Sequence, residues 1–166
     1  MSISRQRHPV YFIAEIGQNH QGDINIAKKM VDSLKGTAVS CIKTAKRDID
    51  ICLTEEQKNA PYDNPNSFGE TYYEHRKNLE LSKEDFVKLY RYSKESGFDF
   101  CSSYTDLNSL DFLCEVGVDA LKIASQRMDD VKLLSETSHT KLPIIVSTGM
   151  SDWIHVDRAV AIFYKN

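Results

Sequence analysis

Short apolar runs that each stop on a charged or hydroxyl residue recur along the chain, with stretches of helical periodicity between them. The runs are Val10 to Glu15, Val39 to Lys43, Ala120 to Ser125 and Ile144 to Ser147. Runs of this length read as buried strands, and strands alternating with helices predict parallel βα units. In such folds, polar residues at the carboxyl ends of the strands converge on one face, where ligands bind. The pattern therefore predicts a site as well as a fold.

The elements follow from start and stop signals. A first strand over about 10–16 leads through a Gly17 to Gly22 loop to Asp23, an N-cap for a helix reaching about Lys35 with Ile26, Met30, Val31 and Leu34 on one face. A second strand ends near Lys43 and Thr44. The long connection after it carries turn signals at Pro61, Asn64 and Gly69, and one short helix is expected around 70–76. With Phe68, Tyr72, Tyr73 and His75 it is too aromatic for disorder, and it reads as an ordered lid or subunit contact. Ser82 opens a helix with Asp85 at the capping-box offset and Phe86, Leu89 and Tyr90 at helical spacing, closed by Gly97. Strands 98–103, 119–125 and 143–148 then alternate with helices 107–116, 130–138 and 152–164. Nothing resembling a linker interrupts them, so residues 1–166 are assigned to one domain.

Composition narrows the class. The 166 residues hold 41% hydrophobic and 27% charged positions with a net charge of -3, an ordinary globular balance without the basic excess that nucleic acid or an anionic membrane requires. No apolar stretch reaches the length of a membrane span, and the polar start Met1 to Pro9 lacks a signal-peptide core, so a cytoplasmic protein is expected. Cys41, Cys52, Cys101 and Cys114 form no CxxC pair and read as structural, with Cys41 and Cys101 inside strands.

The strand-end motifs carry a resemblance. Phe12 to Gly22 (FIAEIGQNHQG), Ile42 to Thr44 (IKT), Asn66 to Arg76 (NSFGETYYEHR), Leu121 to Ser125 (LKIAS) and Val146 to Met150 (VSTGM) resemble, in order and spacing, the sialic acid (N-acetylneuraminate) synthase family. The resemblance implies an α/β fold of the (β/α)8 TIM-barrel type, with about the first five βα units in this chain. Later strands and the family's small C-terminal antifreeze-like domain do not fit in this length. An open flavodoxin-like sheet is the competing architecture, and the motifs argue against it.

That resemblance also implies chemistry. Family members are transferases that condense phosphoenolpyruvate with an N-acetylated amino sugar of the N-acetylmannosamine type, giving a nonulosonic acid and phosphate. Lys43, Lys122, Ser125 and Ser147 match positions that hold the phosphate and carboxylate of phosphoenolpyruvate, with Thr148 beside them. Two ammonium groups and two hydroxyls suit a multiply charged anion, although lysine stems also snorkel from strands to water. Glu15 matches a carboxylate near the reacting carbonyl of the sugar, and reads equally as an ion-pair partner of Lys43. Asn19 and His20 fall in the family's Asn-His-x-Gly loop and are expected to shape it and touch the rim.

A divalent metal, manganese or magnesium, polarises the sugar carbonyl in the family, held by histidines on later strands. None of the five histidines here, at 8, 20, 75, 139 and 155, matches those ligands. His139 and His155 read as solvated or capping groups, and the isolated chain is expected to lack turnover. One departure falls inside the matched motifs. The family carries Glu or Asp two residues after the strand-four serine, and this chain has Arg127. Asp129 or Asp130 could replace that carboxylate, though helix capping is the simpler reading. The departure leaves open a non-catalytic relative that binds phosphoenolpyruvate or a sugar phosphate. A homodimer is a further expectation from the family, and the particular nonulosonic acid is not legible.

Overall fold

The computed structural model describes residues 10–165. The polar start Met1 to Pro9, with His8, and Asn166 lie outside them. In chain order the elements are β1 (Phe12–Gly17), α1 (Ile24–Leu34), β2 (Val39–Ala45), α2 (Ile49–Cys52), α3 (Glu55–Asn59), α4 (Tyr72–Asn78), α5 (Lys83–Glu95), β3 (Asp99–Tyr104), α6 (Leu107–Val116), β4 (Ala120–Ile123), a 3-10 turn (Ser125–Arg127), α7 (Val131–His139), β5 (Ile144–Val146) and α8 (Trp153–Lys165). All neighbouring strand pairs are parallel, and the sheet order β1-β2-β3-β4-β5 is the order of the sequence.

Alternation along the strands separates two faces. Ile16, Ile42, Phe100, Tyr104, Leu121 and Ile123 join a core with Ala27 and Val31 of α1, Phe86 and Leu89 of α5, Leu110 and Leu113 of α6, Leu133 and Leu134 of α7, and Ala159 of α8. The flanking helices thus lie against one face. Phe86 sits edge-on to Phe100 and Phe112 at 5.7 and 5.4 Å, and burying each such side chain stabilises the fold by about 2–3 kcal/mol. A doubly wound sheet reverses its strand order and carries helices on both faces. Consecutive order with helices on one face is the winding of a (β/α)8 barrel, of which this chain builds the first five units.

Several local expectations are corrected. The connection between β2 and α5 holds α2 and α3 as well as α4, and α4 runs from Tyr72 rather than Glu70. Full capping boxes, Thr54 with Gln57 and Thr71 with Glu74, start α3 and α4. At α5 only half of the expected box exists. Ser82 accepts from the Asp85 amide, but the Asp85 carboxylate, one methylene shorter than Glu, turns to Lys88 at 2.7 Å. Ile26 is exposed because α1 turns Ala27 and Val31 inward instead. Cys114, read as structural with the other cysteines, is exposed on α6, whereas Cys41 and Cys101 are buried. The aromatic segment is ordered by its own packing, with the Tyr62 and His75 rings 4.3 Å apart and the Phe68 amide donating to His75 Nδ1.

Candidate site on the inner face of the sheet

The face away from the helices has a different make-up. Cys41, Cys101 and Ala120 form a small buried cluster flanked by Tyr11 and Ile145. Burial pushes the Cys41 and Cys101 thiols up to about 12 and about 11, so both remain protonated. Two residues beyond Cys41 on the same side comes Lys43, and two beyond Ala120 comes Lys122. Glu15 is in register with Lys43, Lys43 with Cys101, and Ser103 with Lys122. Parallel strands in this register carry the three charged side chains toward their carboxyl ends on one side of the sheet.

Glu15 and Lys43 form an ion pair, the structural role read for Glu15. The Lys43 side chain is only 12% exposed and that of Glu15 49%. Among the described residues no carboxylate pairs with Lys122. Burial, and then the like charge of Lys43, lower its affinity for a proton, while Glu15 partly opposes this. The Cys101 thiol senses the charges of Lys43, Glu15 and Lys122 together. Near the carboxyl ends of the strands the inner face thus gathers Lys43, Lys122 and Glu15 over a small apolar floor, a balance that suits an incoming anion.

The remaining sequence candidates sit in turns just past the strands. β4 stops at Ile123 and β5 at Val146, so Ser125 starts the 3-10 turn and Ser147 and Thr148 follow β5. Ser147 stays tied to the sheet by its amide on Ile123 O at 3.1 Å. Gly149 brings its backbone close to Ser125, since a side chain there would meet the Ser125 Cβ at 3.5 Å, and the serine turns after β4 and β5 therefore abut. Asn19 is exposed and folds its amide back onto Ile16 O at 3.0 Å.

His20 departs from the expected rim position. It is 2% exposed, its Nδ1 accepts from the Gly22 amide at 3.1 Å, and burial lowers its affinity for a proton. Its part is to shape the loop from within. Gly22, at φ 78°, passes so close to the end of α4 that a Cβ would lie 2.2 Å from Asn78 O, which only glycine permits.

Several residues at the mouth escape the sequence reading. Ser103 lies on the inner face beside Lys122, and its hydroxyl donates to Thr44 O at 3.3 Å. The alternation of the Asp99 to Tyr104 run could have nominated it. Gln18, Arg47 and Glu80 form a network across three loops. Gln18 donates to Glu80 at 2.6 Å, and Arg47 donates to Gln18 at 2.8 Å and pairs with Glu80 at 3.6 Å. Burial raises the Glu80 carboxyl despite these partners. Lys46, itself buried, donates to Leu81 O at 2.7 Å. The network fastens the long connection to the ends of β1 and β2. Beside it lies a cleft of about 530 Å³ lined by Lys46, Arg47, Glu80, Lys83, Asn108 and Phe112 among others, which includes none of Glu15, Lys43 and Lys122.

Behind β4, Asp130 caps α7 through the Leu133 amide at 3.0 Å. Asp129 pairs with His155 at 2.8 Å and lies 3.9 Å from Arg158. Both aspartates are thus engaged in helix capping or ion pairs. His155 also accepts from the Asp152 amide at the start of α8, and His139 is exposed, 3.9 Å from Glu136. Among the described residues no group of three or more His, Cys, Asp or Glu could hold a metal ion, so the residues present do not compose a metal centre. Among them, too, no helix is long and apolar enough to cross a membrane.

Comparison with known proteins agrees with this architecture. The NeuB family model matches residues 30–166. The N-acetylneuraminate-9-phosphate synthase of Drosophila melanogaster is 38% identical over 91% of this chain and 41% of its own length. The N,N'-diacetyllegionaminic acid synthase of Legionella pneumophila is 36% identical over 90% of this chain and 42% of its own. The crystal structure of the N-acetylneuraminic acid synthetase of Leptospira borgpetersenii superposes with a TM-score of 0.81 at 29% identity, over 95% of this chain and 51% of that one. The chain thus spans about two-fifths of the length of the curated relatives it matches. With the family model matching residues 30–166, the chain belongs to the NeuB family.

Proposed function

We propose that this chain forms the phosphoenolpyruvate end of a site that joins phosphoenolpyruvate to an N-acetylated amino sugar, as in a sialic or legionaminic acid synthase. The observation that carries the reading is the placement of Lys43 on β2 and Lys122 on β4 on the inner face, one strand apart, with Glu15 on β1 paired to Lys43. Lys43 and Lys122 take the phosphate and carboxylate of phosphoenolpyruvate, and the Ser103, Ser125, Ser147 and Thr148 hydroxyls surround them as donors. An anion beside Lys122 removes the like-charge repulsion it now feels from Lys43.

The proposed reaction forms a bond between the methylene carbon of phosphoenolpyruvate and the aldehyde carbon of the open-chain sugar. Water adds at the former enol carbon, and its C–O bond to phosphate breaks, leaving the keto acid and inorganic phosphate. Glu15, freed from Lys43 as the anion arrives, accepts from a sugar hydroxyl near the aldehyde and orients it.

Calorimetric titration of the chain with phosphoenolpyruvate tests the reading. Lys43→Met and Lys122→Met should each weaken binding by about 2 kcal/mol or more, roughly thirtyfold, the scale of a lost charge pair. Unchanged binding in both variants would remove the site. A second reading, a relative that binds phosphoenolpyruvate or a sugar phosphate without turnover, is favoured by Arg127 at the family's carboxylate position.

A further inference from the structure

The cleft beside the Gln18, Arg47 and Glu80 network has a chemistry of its own. Its volume of about 530 Å³ lies within the range of about 300–1,000 Å³ that holds small organic ligands. Ile49, Leu81 and Phe112, each nearly buried, give it an apolar floor, and Lys46, Lys83 and Asn108 stand around that floor. It opens between the start of α5 and the first turns of α2 and α6, apart from the inner-face residues Glu15, Lys43 and Lys122.

Its charges are unevenly spent. Asp48 accepts from Asn108 at 2.8 Å and from the Asp50 amide at 3.1 Å. Asp50 is taken by Tyr73 and Lys77, and Glu80 by Gln18 and Arg47. Lys83 is left over: its ammonium lies 5.2 Å from the centre of the Phe112 ring, and among the described residues no carboxylate pairs with it. Lys46, buried and donating to Leu81 O at 2.7 Å, lines the same space, and an ammonium has more donors than that one bond uses. Burial lowers its proton affinity, and although Glu80 opposes this, the like charge of Lys83 adds to it. Two ammonium groups close enough to repel, one of them uncompensated, favour an anion within reach of both. Ser82, which caps the 13-residue α5, lines the same wall, so the positive end of that helix adds to their field. The floor of Ile49, Leu81 and Phe112 supplies the apolar surface on which a ring packs.

We propose that this cleft is a second ligand site, which binds a small organic anion carrying a phosphate or carboxylate on an apolar ring. Lys83 and Lys46 take the charged group, and Ile49, Leu81 and Phe112 take the ring. The inference is independent of the reaction proposed for the inner face, because the cleft shares none of Glu15, Lys43 and Lys122.

The test follows the backbone amide resonances of the chain during titration with phenyl phosphate, benzoate, inorganic phosphate and phenol. Phenyl phosphate or benzoate should shift the amides of Lys83, Asn108 and Phe112, and whichever does so at the lower concentration identifies the charged group. Inorganic phosphate, which lacks the ring, and phenol, which lacks the charge, should bind about tenfold or more weakly. Lys83→Ala, at an exposed position, should weaken the favoured acid about tenfold. Lys83→Arg, which keeps the charge, should restore most of that loss. Lys122→Met should leave the response in the cleft unchanged. Shifts confined to amides around Lys43 and Lys122, a response lost in Lys122→Met, or affinity untouched by Lys83→Ala would overturn the inference. So would an acid bound no more tightly than phenol or inorganic phosphate, or no shift with either acid.

Discussion

The helix-covered face of the sheet and its inner face are built from the same strands by opposite choices. Facing the helices, Ile42, Phe100, Tyr104, Leu121 and Ile123 are large and at most 0% exposed, and they hold five helices against the sheet. Facing inward, the same strands place Cys41, Cys101 and Ala120, which fill little volume, and then Lys43, Lys122 and Glu15, which fill none of a core. A two-residue period lets one strand serve both ends: neighbouring positions never compete for the same surroundings. Stability is thus concentrated on one side and ligand chemistry on the other, and substitutions on the two sides should behave differently.

The largest difference is expected in the hydrophobic core. Phe100→Ala removes a ring packed against Phe86 and Tyr90, and should lower stability by about 3–5 kcal/mol in urea unfolding. Its inner-face neighbour in sequence offers the control. Cys101→Ala removes one buried sulfur and should cost about 1 kcal/mol. Equal costs for the two would mean that the inner face is as much a core as the outer one, and the division argued above would fail.

A smaller effect tests the border between the faces, at the loop after β1. His20 is buried and neutral, and burial lowers its proton affinity from the ordinary imidazole value of about 6.5. Below that value the unfolded chain binds a proton that the folded chain refuses, so stability falls as pH drops through this window and returns as pH rises. The contribution cannot exceed about 1.4 kcal/mol per pH unit. Unfolding of wild type and His20→Asn, compared at pH 7 and just below 6, should show a steeper loss in the wild type. Parallel pH profiles would mean that His20 takes up a proton as readily in the fold as in the unfolded chain.

Much of this was legible in the chain. Strand ends could be read because each apolar run closes on a polar residue, and Asp23, Asp130 and Gly117 marked helix ends by chemistry that needs no tertiary context. Lys43 and Lys122 were visible for the same reason. Glu80 and Lys46 were not, because each looks like an ordinary surface charge, and only the approach of three separate loops buries them. Ser103 was hidden by its neighbour, since Ser102 and Ser103 are identical in type and strand phase alone tells the inner from the outer. The residue that broke the family pattern, Arg127, could be seen in the sequence as a departure, but its unpaired nitrogen could be seen only in the fold.

The smallest expected effect bears most directly on the comparison. Lys43 is in register with Glu15 on one side and Cys101 on the other, so a purely structural view makes its ion pair a fastening between β1 and β2. Yet the Glu15 side chain is about half exposed, and pairs of that kind contribute about 0–1 kcal/mol. Lys43→Met also relieves the repulsion that Lys122 feels, which offsets part of any loss. Unfolding of the ligand-free variant should therefore lie within about 1 kcal/mol of wild type. A cost of several kcal/mol would make the pair a structural fastening and move Lys43 to the stability side of the division. A change near zero, alongside a roughly thirtyfold loss of phosphoenolpyruvate binding, would mean that the charge is held at the sheet for its ligand rather than for the fold.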